Sequence, residues 1–190
     1  MSAAQIFGQC RVTIGEGPIM NLQTVARCVV FLTLLAAFAQ GAAAEVAETK
    51  ILGVGDTMEA FALKDQNGNE HQLDSGISVI LFSRDRAGAG VMTRSMEGRD
   101  GDFLAERGVV YVNDISAMPR VAAALFALPK MRTRPYPILL DREAELTAQF
   151  PDKAKFATLV HLDSLEVTEV EYVREDTALA ERLEALPKKD

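Results

Sequence analysis

Apolar and polar positions along the chain change period several times, and each change marks an element. Residues 77–82 (ISVILF) form a continuous apolar run of strand length, the pattern of a strand covered on both faces, as in a parallel sheet. Residues 109–112 (VVYV) and 138–140 repeat it, and 158–162 (TLVHL) does so with one histidine, His161. Residues 61–73 surround Asn67-Gly68, a pair that tolerates positive φ and predicts a hairpin with a type I′ turn. After a turn at 163–166, Glu169 and Glu171 alternate with Val170 and Tyr172. That alternation predicts an antiparallel, half-exposed strand whose glutamates guard a sheet edge.

Between the strands the spacing is helical. Ser116 caps a predicted helix with Pro119 in its first turn, which places Val121, Leu125 and Leu128 on one face. Leu146 and Phe150 make an i, i+4 pair in a short helix after Asp141. Met92, Met96, Phe103 and Leu104 outline another, weakened by Gly98 and Gly101. Leu179, Leu183 and Leu186 form the stripe of a last helix whose start is capped by Asp176 or Thr177. The order is a hairpin, three strand–helix units, an antiparallel strand pair and a closing helix. It predicts a mixed sheet with helices on both faces, a three-layer α/β sandwich.

Residues 28–39 (CVVFLTLLAAFA) are apolar in a different sense. The run is too short for a hydrocarbon core, which needs about 20 apolar residues. Arg27 precedes it and Gly41-Ala-Ala-Ala44 follows, so it reads as a secretory leader cleaved after Ala44, with Met20 as the expected true start. Residues 45–50 are then a short linker and 51–190 one domain. Both cysteines, Cys10 and Cys28, leave with the leader. The remaining 146 residues carry 18 basic and 26 acidic side chains, a net charge of −8 against −7 for the whole chain. That balance argues against nucleic acid as a partner, because phosphate binding needs a basic face. The loss of both cysteines excludes disulfides and cysteine nucleophiles from the exported chain.

Residues 54–65 (VGDTMEAFALKD) with Gly68, residues 136–150 (YPILLDREAELTAQF) and residues 157–163 (ATLVHLD), in that order, resemble the thioredoxin-like superfamily, particularly its peroxiredoxin and TlpA-like branch. Glu59 stands where that branch usually has proline. The resemblance implies an active cysteine where the first central strand meets its helix, but that junction here is Ser83-Arg-Asp-Arg-Ala-Gly-Ala-Gly-Val-Met92. It also implies a cis-proline before the threonine of the later strand, and Ala157 occupies that place. The chain resembles, in particular, the small exported, cysteine-free proteins of Gram-negative bacteria of the YtfJ type, which share the pair Val112-Asn113. No redox residue carries over. The expectation is a periplasmic thioredoxin-fold protein acting as a non-catalytic binding or accessory module, with a periplasmic protein or a small anion as its partner.

Other chemistry is sparse. The alternative use of the junction is a small-anion site or an enzyme without thiol chemistry, with Arg84, Arg86, Gly88, Gly90 and Arg94 as candidate ligand-binding residues. Helix-start amides attract anions there. The segment lacks the Gly-Lys-Ser/Thr ending of a phosphate loop, and no dinucleotide fingerprint is present. No cofactor is expected. His71 and His161 lie 90 residues apart without metal-ligand spacing, so no metal is expected and His161 reads as a core histidine. Ser83 has no G-x-S-x-G elbow. Glu166, Glu169, Glu171, Glu175 and Asp176 read as a solvated face, Lys130, Arg132 and Arg134 as a solvated basic loop, and Met58, Met92, Met96, Met118 and Met131 as core filler.

Overall fold

The computed structural model describes residues 49–189; the expected leader, with Cys10, Met20 and Cys28, lies outside them. The strands are β1 (Phe61–Asp65), β2 (Glu70–Leu73), β3 (Val79–Ser83), β4 (Val109–Asp114), β5 (Leu139–Asp141), β6 (Ala157–Asp163) and β7 (Glu166–Val173). They form one sheet in the order β2-β1-β5-β4-β3-β6-β7. The central β3, β4 and β5 run parallel, while β1 and β6 flank them antiparallel. This is a thioredoxin-like α/β fold with an N-terminal hairpin.

Every residue of β3 is buried, as its unbroken apolar run requires in the middle of a sheet. Its alternate side chains feed two cores. Val79 and Leu81 join Tyr111, Leu140 and Leu159 beneath the helices. Ile80 and Phe82 join Val112, Leu139 and Val160 on the opposite face. The first core is closed by α1 (Arg86–Ser95), α2 (Gly101–Ala105), a helix α3 over 120–131 and α4 (Asp176–Ala185). The second is closed by a thinner layer: Leu52 and Met58 from the extended arm before β1, and Phe150 beside a single 3-10 turn, Thr147–Gln149. The Leu146–Phe150 pair thus packs as expected, but in one tight turn. Asp141 arrests it by accepting the amides of Glu143, Leu146 and Thr147.

Four local expectations change. The β1–β2 hairpin has positive φ at Gly68 only, and the Gly68 amide donates to the Asp65 carbonyl. That is a type I turn followed by a left-handed glycine, not a type I′ turn. The Met92–Leu104 stretch is two helices, because Gly98 takes φ +77 and Asp100 starts α2 by accepting the Phe103 amide. In α3 the buried positions are Ala123 and Leu128, while Val121 and Leu125 are 70% and 63% exposed. The helix begins at Arg120, four residues after Ser116. Residues Ala123–Ala127 then widen into a π turn, two residues before Pro129, which has no N–H to return to the preceding turn. Both features rotate the apolar stripe away from the sheet. Neither Asp176 nor Thr177 caps α4, which spans Asp176–Ala185 with Glu175 at the cap position and no side-chain cap bond.

Candidate functional site

The strand–helix junction sits at the carboxyl end of β3, where open α/β sheets place their ligands. Asp85 is the N-cap of α1 and accepts the Gly88 amide at 2.7 Å through one carboxylate oxygen. The other oxygen accepts the amide of Lys155 from the segment entering β6. Burial would raise this carboxyl, but the Lys155, Gly88 and Ala87 amides outweigh it and hold it below its ordinary range. The helix start is therefore filled by a carboxylate of the chain itself. Gly88 is pressed into the same loop: a Cβ there would lie 2.2 Å from the Phe156 carbonyl oxygen and 2.5 Å from Ser83 Oγ.

The candidate arginines diverge. Arg84 donates to Asp114 at 2.9 Å and to the Thr147 carbonyl at 2.8 Å, with its guanidinium 5.5 Å from the centre of the Phe82 ring. Arg94 pairs with Asp176 and ties α1 to α4. Arg86 is exposed and has no ion-pair partner among the described residues. Gly90 lies two residues beyond Gly88 in α1, beside the Arg94 guanidinium. Ser83 donates its hydroxyl to the Asp85 carbonyl, 2.9 Å away. Below α1, the Tyr111 hydroxyl lies 3.3 Å from Thr93 Oγ1 and is driven up in pKa chiefly by burial. Asp152 is also raised by burial, against the pull of Arg84. Asn113, opposite Ser83 in the β3–β4 ladder, is buried with its Oδ1 unpartnered among the described residues.

Two histidine sites lie elsewhere. His71 Nε2 is 3.2 Å from Asp65 and lines a cleft of about 330 Å³ with Arg134 and Tyr136. From the same basic loop, Arg132 donates to the Gln66 carbonyl. At the opposite edge, His161 Nε2 is 2.9 Å from Glu171, whose second oxygen pairs with Arg182 at 2.7 Å. Glu169 completes a group of three whose ligand atoms all lie within 4.8 Å of one another. Glu171 is thus not part of a solvated face, since only 16% of its side chain is exposed. Strand alternation alone does not reveal this group; the cross-strand register does. Met58, Met92 and Met96 are core filler, whereas Met118 is exposed beside Val121, Leu125 and Phe126.

No family model and no curated protein matches the chain. Solved structures similar to it include peroxidoxin BcpB from Mycobacterium tuberculosis, at 22% identity over 71% of this chain and 96% of that one, TM-score 0.46. A thio-disulfide isomerase from Thermus thermophilus is 22% identical over 73% and 100%, TM-score 0.45. A peroxiredoxin-like protein from Aquifex aeolicus is 14% identical over 72% and 89%, TM-score 0.45. The fold itself is defined by the strand order and register above. No helix of the described residues is long and apolar enough to cross a membrane.

Proposed function

We propose that this chain is an exported thioredoxin-fold protein that binds a partner protein and carries out no thiol chemistry. The observation that carries the reading is Asp85. Where the resembled superfamily places a cysteine at the start of the first helix, this chain places a carboxylate that consumes the helix-start amides. Residues 49–189 contain no cysteine. The contact surface is the outer side of α3, where Val121, Leu125 and Phe126 are all more than 60% exposed next to Met118. An apolar cluster of that kind on a helix marks a contact surface for another protein. Kinship with the YtfJ type and a periplasmic location belong to the same proposal and rest on the sequence resemblance and the leader.

The test has two arms. The purified protein should reduce insulin and turn over hydroperoxide no faster than a boiled control; turnover above that control overturns the reading. A pull-down from periplasmic extract should recover a protein that is lost when Leu125 and Phe126 are both changed to glutamate. The rival use of the junction, an anion held by Arg84, Arg86, Gly88, Gly90 and Arg94, requires the ligand to displace Asp85 from the helix start. Phosphates, carboxylates or nucleotides that raise the melting temperature of the wild type, and raise it further in Asp85→Ala, would favour that rival.

A further inference from the structure

We infer that His161, Glu169 and Glu171 form a binding site for a divalent transition metal at the β6–β7 edge of the sheet. The three residues stand on one face of two adjacent strands. His161 is directly opposite Glu169, and Glu171 follows two residues further along β7. Their ligand atoms, one imidazole nitrogen and two carboxylate oxygens, lie within 4.8 Å of one another. Zinc–nitrogen and zinc–oxygen bonds of about 2.0–2.2 Å place tetrahedral donors about 3.4 Å apart, so small side-chain rotations close the set. Glu169 is exposed and free to make the largest of them. His161 and Glu171 keep only 20% and 16% of their side chains exposed, so two of the three ligands are already ordered before an ion arrives.

The donor set selects the class of ion. One imidazole with two carboxylates suits zinc, manganese, cobalt or ferrous iron. Calcium prefers six to eight oxygens and magnesium an all-oxygen octahedron, so neither matches a nitrogen ligand. Three protein donors leave an open coordination position for water. Two things compete with the ion. The hydrogen shared between His161 Nε2 and Glu171 must move to Nδ1 or to solvent, since a metal-bound nitrogen carries none. Arg182, 60% exposed, holds the second oxygen of Glu171, and its positive charge opposes a cation bound at the first. An ion pair whose arginine end is exposed contributes little, so the arginine weakens the site without closing it.

The test uses the untagged protein, titrated with Co²⁺ followed by visible absorption and then with Zn²⁺ in competition. The expected result is one ion per chain. His161→Ala and Glu171→Gln should each weaken binding at least about ten-fold. Glu169→Gln alters only an exposed side chain, so it separates loss of ligand from loss of fold, and it should also weaken binding. Arg182→Ala should tighten binding about two- to five-fold by removing the competitor. The chain has two histidines, so His161 and His71 are separable by NMR, and Co²⁺ should broaden His161 alone. No saturable binding, or binding that His161→Ala and Glu169→Gln leave intact, overturns the site.

Discussion

Glu171 meets His161 diagonally across β6 and β7 because the ladder slips by one residue between them. Leu162 pairs with Val167 and His161 pairs with Glu169, which leaves Thr168 without a partner. In an uninterrupted ladder His161 would face Thr168, and both glutamates would point to the other side of the sheet. The bulge reverses that, so Glu169 and Glu171 share the face of His161 while Val170 turns to the second core. Glu171 then lies within reach of Arg182 on α4.

That arrangement makes the two ways of removing Glu171 unequal. Glu171→Gln keeps an acceptor opposite His161 and loses the ion pair with Arg182, which is worth about 0.5 kcal/mol because its arginine end is exposed. Glu171→Ala leaves a half-buried imidazole without a partner and should cost about 1–2 kcal/mol. Urea denaturation of the two variants at pH 7 measures the difference. Equal stabilities would mean that the His161 contact does not form in solution.

The same slip marks the boundary of what the sequence discloses. The strands at 77–82, 109–112 and 158–162 are legible because burial on both faces writes an unbroken apolar run. The edge position of β7 is legible from its alternating glutamates. The register is not, since one extra residue in a strand leaves composition and period almost unchanged yet exchanges the faces of everything beyond it. The face of α3 is hidden for a related reason: the π turn before Pro129 shifts the phase of a stripe that a 3.6-residue period otherwise predicts. At the junction the glycines and arginines attract notice as ligand groups, while Asp85, which occupies the helix start, carries no motif that singles it out.

Asp85→Ala removes the cap of α1 and should cost about 1 kcal/mol at neutral pH. Its pH dependence has a definite sign. The folded-state carboxyl is held below its ordinary value, so its contribution is present above the unfolded carboxylate value near ~3.9 and is lost as pH falls through the folded value. The stability gap between wild type and Asp85→Ala should therefore be widest at pH 5 to 7, on the order of 1 kcal/mol, and narrow toward pH 3. Urea titrations across that range check it, and a gap that widens in acid would contradict the assignment of the carboxylate as cap.

Two glycines in α1, two residues apart, should respond to alanine in opposite directions. At Gly88 the new methyl group would meet the Phe156 carbonyl oxygen at 2.2 Å, and that oxygen belongs to backbone. Gly88→Ala should lose about 3 kcal/mol through overpacking of the helix against the 155–157 segment. At Gly90 the nearest atom is the end of the Arg94 side chain at 3.2 Å, which can swing aside. Gly90→Ala should gain about 0.5–1 kcal/mol, the ordinary advantage of alanine inside a helix. Thermal melts of the pair give the result directly. A destabilised Gly90→Ala would mean that the Arg94–Asp176 contact between α1 and α4 tolerates no displacement.

Leu125 and Leu128 separate stability from recognition within one helix. Both belong to the stripe that the sequence spacing assigns to the core, but Leu128 is buried among the first-core side chains and Leu125 is 63% exposed. Leu128→Ala should therefore destabilise by about 2–4 kcal/mol, the cost of a lost buried side chain plus the cavity left behind. Leu125→Ala should change stability by less than about 0.5 kcal/mol, as exposed substitutions do. The contrast inverts in partner capture, where Leu125→Ala should reduce recovery from extract while the protein stays fully folded. Parallel melts and pull-downs on the two single variants decide it: an unfolded Leu125→Ala would place that side chain in the core, and a folded variant with undiminished capture would remove α3 as the contact surface.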